Sequence, residues 1–125
     1  LERMLSSMVE VHQSREQKCG CFFGNLAIEL SEHNDIFRQK IAAMFACWTR
    51  ELEELIGQWQ KNRKTPVFAD PGFLAANIVA LLEGAILLMK NQQRMDPLLE
   101  AVSMVKKILG MEAGSSAMDR TDQDK

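Results

Sequence analysis

Apolar residues in this chain recur every three or four positions, and nowhere do they alternate over a useful length. That rhythm predicts helices, punctuated by prolines and glycines. Leu1, Met4, Leu5, Met8, Val9 and Val11 mark a first helix over about residues 1–16, which runs out in the polar stretch Gln13 to Lys18. A short second helix is expected over about residues 22–32. The third opens at Asn34 or Asp35, either of which can accept the free N–H groups of a first turn, and reaches about Asn62. Its apolar stripe is Ile36 or Phe37, then Ile41, Met44, Phe45, Trp48, Leu52, Leu55, Ile56 and Trp59. Lys64-Thr65-Pro66 is expected to end it. Asp70-Pro71 and Asp96-Pro97 each set a capping carboxylate before a proline at the first helical position, which predicts helices over about 71–92 and 97–109. Gly110 stops the last one. Residues 111–125 carry no apolar period and are expected to form a disordered tail beyond a domain of residues 1–110. The expected fold is all-α, an antiparallel bundle of about five helices.

The fourth helix is the unusual one. Between Phe73 and Met89 its only polar side chains are Asn77 and Glu83. A helix apolar nearly all round must be covered nearly all round. It is too interrupted, and too embedded among charged helices, to read as a membrane span. At about 100° per residue, Leu74, Ile78, Leu81, Ala85 and Leu88 share one face. Leu82, Ile86 and Met89 lie to one side of it; Ala76, Ala80, Gly84 and Leu87 lie to the other. Glu83 and Lys90 share the narrow remaining sector. The small-residue strip would let another helix approach closely. An isologous interface in a homodimer is therefore expected from Ala76, Asn77, Ala80, Leu81, Gly84, Leu87 and Leu88, completed by Leu98, Val102, Val105 and Leu109 of the fifth helix. The alternative is a monomer in which the fourth helix is simply the central core element.

Charge and composition narrow the function. The formal net charge of −2 offers no nucleic-acid footprint. Lys61, Arg63 and Lys64 read as a solvated helix end. Residues 1–17 mix charges into every turn, unlike a signal peptide. The 3 cysteines, an odd number, argue against a disulfide framework and suit a reducing cytoplasm. Cys19 and Cys21, with Cys47, His12 and His33 elsewhere, lack the close second pair of a zinc site, so no metal or cofactor is expected. His12 and His33 lie in polar surroundings and read as surface residues. No Gly-rich phosphate loop, nucleophile elbow or His–Glu metal helix occurs, so the chain is not expected to be an enzyme.

The most informative segment is Lys18 to Leu30, KCGCFFGNLAIEL. Two glycines flank Cys21-Phe22-Phe23 and lead into the short helix. The segment resembles the GC-x-x-GNLA-x-E signature of one branch of the TetR/AcrR family of transcriptional repressors. SEHNDIFRQKIAAMFACWTRELEELI, ADPGFLAANIVALLEGAILLMK and DPLLEAVSMVKKIL resemble that family's later helices, in order, so the likeness spans about residues 1–109. The resemblance implies the C-terminal, effector-binding domain of a dimeric all-helical repressor. Its last two long helices would make the dimer. A small hydrophobic or aromatic effector would release the full-length protein from operator DNA. DNA would be bound only through an N-terminal helix-turn-helix domain, which is not in this chain; the chain begins at Leu1 inside a helix and reads as a piece of a longer protein.

Candidate pocket residues follow from both readings. Phe22, Phe23, Asn25, Leu26 and Glu29 form one set, with the amide and carboxylate on one helical face. Met44, Phe45, Trp48 and Leu52 form a second, Trp48 offering a flat ring and one N–H. Leu82, Glu83, Ile86 and Met89 on the fourth helix complete the pocket. Each has a plainer reading: the aromatics as core, Asn25 as a cap. Glu83, on an apolar helix, must be paired, solvated or protonated. The aromatics favour a planar or lipophilic ligand, and the shortage of cations disfavours a strongly anionic one. Two other functions stay open here: a ligand-free dimerisation scaffold, and a small helical enzyme or thiol-based sensor using Cys19 and Cys21.

Overall fold

The structure, a computed structural model, describes residues 1–63 and 69–111. Five helices follow in order: α1 Glu2–Gln13, α2 Phe22–Leu30, α3 Asp35–Lys61, α4 Pro71–Gln92 and α5 Asp96–Ile108. The described residues contain no strand, as the all-α reading requires. Lys64-Thr65-Pro66 and residues 112–125 lie outside the described residues. Met111, expected at the head of a disordered tail, packs against the core instead.

α4 is the hub. It packs against α3 on one side and α5 on the other, while α2 rests on α3 and α1 on α5. Leu5, Ile56, Met89, Leu98 and Leu109 are wholly buried in one continuous apolar core. Removing such side chains from water is the main drive for assembly, at roughly 1.5–3 kcal/mol each.

Local signals set where the helices begin. Asn34 Oδ1 accepts from Phe37 N at 3.1 Å and starts α3; Asp70 Oδ2 accepts from Phe73 N at 2.9 Å and starts α4. The matching expectation for Asp96 fails. α5 is capped by Met95 without a side-chain bond, and Asp96 sits inside the first turn, where its carboxylate pairs with Arg94 instead.

Two further expectations are corrected. His12 is not a surface residue. It falls two turns after Leu5, on the face of α1 that meets the core, and is 7% exposed, whereas Val11 is turned outward. The apolar stripe Leu98, Val102, Val105 and Leu109 of α5 does not face a partner. All four side chains are buried within this chain, because α5 needs that face to close the core against α4. The far end of α5 is held by α3: Trp59 Nε1 donates to Leu109 O at 3.3 Å, and Arg63 donates to the carbonyls of Leu109 and Gly110 while lying over the Trp59 ring. Arg63 is thus committed to the fold.

Candidate functional site

α4 divides into three faces. The side chains of Leu74, Ala75, Ile78, Leu82, Ala85, Ile86 and Met89 are buried. Phe73, Ala76, Asn77, Ala80, Leu81, Gly84, Leu87 and Leu88 are exposed, within an arc of about 140°. Glu83 and Lys90 occupy the remaining sector, which looks toward α2.

There α2 and α4 stand apart and leave an open cleft of about 270 Å³. Its lining is Cys21, Gly24, Asn25, Ala27 and Ile28 from α2 and its cap, Phe45 from α3, and Glu83, Gly84, Ile86 and Leu87 from α4. A second cleft of about 240 Å³ lies beside it, sharing Asn25, Ile28 and Leu87 and adding Glu29, Lys90 and Asn91.

A run of three edge-on aromatic contacts links α2 and α3, and its middle member, Phe23–Trp48, crosses between the helices. Phe22 meets Phe23 at 5.3 Å between centroids, Phe23 meets Trp48 at 5.5 Å, and Trp48 meets Phe45 at 5.5 Å. Such T-shaped pairs are favoured by the ring quadrupoles. They bring Phe45 to the wall of the cleft.

Glu83 is the one carboxylate in the first cleft, and it lies against the first turn of α2. A Cβ built on Gly24 would come within 2.6 Å of Glu83 Oε2. Only a residue without a side chain permits that approach. Burial pushes the Glu83 carboxyl above its ordinary value, and the neighbouring Cys21 thiol pulls it partly back. Cys21 caps α2, its sulfur accepting from Gly24 N at 3.5 Å. Burial, the Gly24 N–H and the Glu83 charge act on this thiol together, and the net effect is upward. A reactive thiolate needs the opposite shift. Among the described residues no group of three or more His, Cys, Asp or Glu is placed to hold a metal ion.

A chain of hydrogen bonds runs from the cleft to the end of α1. Lys90 Nζ donates to Asn25 Oδ1 at 3.1 Å, and Asn25 Nδ2 donates to Cys19 O at 3.0 Å. Next to Cys19, the Lys18 backbone exchanges two bonds with the Gln93 amide, each 3.0 Å. Lys18 Nζ then donates to His12 O at 2.9 Å, on the last turn of α1. Gly20 makes the loop possible: its φ of +79° is a left-handed conformation, and it packs against Lys90.

The outer side carries a shallow groove of about 950 Å³ between α4 and α5. Ala80, Leu81, Gly84, Leu87 and Leu88 form its α4 wall; Pro97, Glu100 and Ala101 form the α5 wall, with Arg94 and Asp96 at one end. Met104 and Ile108, 51% and 43% exposed, continue that side of α5 one and two turns on.

Of the residues expected to bind a ligand, the first cleft brings together Asn25, Phe45, Glu83 and Ile86, and the second adds Glu29. Phe23 and Trp48 support the wall through the aromatic ladder. Phe22 is 68% exposed and points away into solvent. Leu52, Leu82 and Met89 are core residues, their faces taken by the packing of α3 on α4. Leu26 and Met44 are half-buried and line neither cleft. Cys21, Gly24, Ala27 and Ile28 were missed; the spacing of 21, 24, 25 and 28 marks one face of a helix and could have found three of them. Of the expected interface residues, Ala76 and Asn77 are exposed beyond the groove, and Asn77 Nδ2 donates to Phe73 O of its own helix at 2.8 Å.

The family model described as "Transcriptional regulator LmrA/YxaF-like, C-terminal domain" matches residues 1–104. The chain is 30% identical over 86 residues to the HTH-type transcriptional repressor DhaR of Mycobacterium sp. (strain GP1), an overlap of 69% of this chain and 43% of that protein. It is 32% identical over 97 residues to the transcriptional regulator AcuR of Cereibacter sphaeroides, covering 77% of this chain and 44% of the relative. The chain thus spans less than half the length of these curated relatives. No solved structure gives a significant match.

Proposed function

We propose that this chain, which belongs to the C-terminal domains of TetR-like transcriptional regulators of the LmrA/YxaF-like kind, is the effector-sensing and dimerising part of a cytoplasmic repressor. A small lipophilic ligand enters the cleft between α2 and α4. Its binding moves α1 and releases the full-length protein from operator DNA, which a helix-turn-helix domain outside this chain would hold.

The observation that supports this most is the continuity between cleft and α1. Asn25 lines both clefts and is bonded to Lys90, and through Cys19 and Lys18 the same loop holds the carbonyl end of α1. A ligand that separates α2 from α4 therefore strains the loop on which α1 ends. It can shift the equilibrium only by as much as its affinity differs between the two states.

The second copy fits the outer face of α4 and the Met104–Ile108 side of α5. Ala76, Ala80 and Gly84 leave room there for close helix approach, and leucines flank them. This replaces the inward stripe of α5 as the expected contact. Each copy would present the same surface, as two-fold symmetry requires.

The test is a ligand screen by thermal shift, repeated on Ile28→Trp. Position 28 is 64% exposed, so the larger ring fits without disturbing the core, yet it fills the cleft. The variant should keep its melting temperature and lose binding of every hit. Hits that bind the variant unchanged would place the effector elsewhere.

A further inference from the structure

We propose that the Glu83 carboxylate anchors the ligand of the α2–α4 cleft and selects small aryl-alkyl ammonium compounds over carboxylates of the same shape; this rests on reading the cleft as the effector site. Around Glu83 the lining is apolar except for the Cys21 thiol and the Asn25 amide. Among the described residues no cation lies within ion-pair distance of it: the two side-chain ion pairs are Arg38–Asp35 and Arg94–Asp96. Lys90, on the same sector of α4, is committed to Asn25 and lines only the neighbouring cleft. Gly24 adds a positive feature. Any larger residue there would push the carboxylate away, and the open backbone lets it stand at the α2 wall.

The chemistry follows. A half-buried carboxylate beside apolar walls has lost hydration without gaining a counter-charge. An ammonium group placed against it restores a charge-assisted bond in a partly dried site. A ligand carboxylate would meet a like charge there instead. The volume of about 270 Å³ is at the small end of ligand pockets and suits one aromatic ring with a short arm, its ring against Phe45, Ile86 and Leu87.

Three probes of matched size test this: 2-phenylethylammonium, 2-phenylethanol and phenylacetate. Each is titrated at pH 7.5 and low salt into the ¹⁵N-labelled protein, and the amide signals of Gly24, Glu83 and Gly84 are followed. The ammonium should bind at least about tenfold tighter than phenylacetate, the size of one charge-assisted bond. Glu83→Gln should bring that ratio close to one. Gly24→Ala, which displaces the carboxylate but keeps its charge, should lower the ratio as well. Equal binding of all three probes at these signals, or a ratio unchanged in both variants, would overturn the anchor role while leaving the cleft as a ligand site. If no probe moved the three signals, the cleft itself would be misassigned and both readings would fall.

Discussion

Lys90 Nζ and Asn25 Oδ1 meet at 3.1 Å although they lie 65 positions apart in the chain. The bond joins the last turn of α4 to the first turn of α2, between two residues that both line the second cleft. Because the other end of the Asn25 amide holds Cys19 O, one side chain reports on the α2–α4 spacing and on the loop that leads back to α1. Lys90→Met should therefore cost only about 1 kcal/mol in urea denaturation, as for one partly exposed hydrogen bond. On the proposed function, the same substitution in the longer protein should leave ligand affinity nearly intact and weaken ligand-induced operator release. Release at the parent's ligand concentration would show that the signal travels by another route.

Glu83 carries a stability cost that its pH dependence exposes. Its folded carboxyl is raised above the ordinary value of 4.5, chiefly by burial. The folded state then holds the proton to higher pH than the unfolded chain does. Stability attributable to this group is present below pH 4.5 and is lost as pH rises through the folded value. Glu83→Gln should accordingly melt above the parent at pH 7.5, and the gap should close as pH falls toward 4.5. A variant that melts lower at every pH would mean that the carboxylate has a stabilising partner.

His12 acts in the opposite direction. Burial first, then the charges of Arg15 and Lys18, hold its imidazole below the ordinary 6.5, and Nδ1 has no partner. The unfolded chain therefore takes up a proton near pH 6.5 that the fold resists. Stability should be level above that pH and fall as pH drops from 6.5 through the folded value. His12→Leu should flatten this slope in melting curves between pH 8 and 5. An unchanged slope would remove His12 as its source.

The two sides of α5 should respond differently to substitution. Leu98→Ala opens a cavity in the core and should cost about 2–5 kcal/mol. Met104→Ala, on the exposed side, should change protomer folding by less than about 0.5 kcal/mol. On α4, Leu88→Glu should leave the fold intact and shift sedimentation from dimer to monomer. A Leu88→Glu protein that remains dimeric would mean that the interface lies on another face.

The helices themselves were readable from residue order. Period, the caps at Asn34 and Asp70, and the proline at the first position of α4 are local devices, and each acts within a turn of its own residue. The same holds for the isolation of Glu83 and Lys90 on one sector of α4, which follows from helical spacing alone. Residue order could not say which of two apolar faces turns inward. On α5 both Leu98–Val102–Val105–Leu109 and the Met104–Ile108 side are apolar enough to bury, and only packing against α4 decides between them. On α1, His12 lies on the inner face and Val11 on the outer, because position along the helix outweighs side-chain polarity once Leu5 is anchored. The cleft is a purely tertiary feature: it exists because α2 leans on α3 through Phe23 and Trp48, which sets Gly24, Ala27 and Ile28 opposite Glu83, Ile86 and Leu87 without closing the space between them.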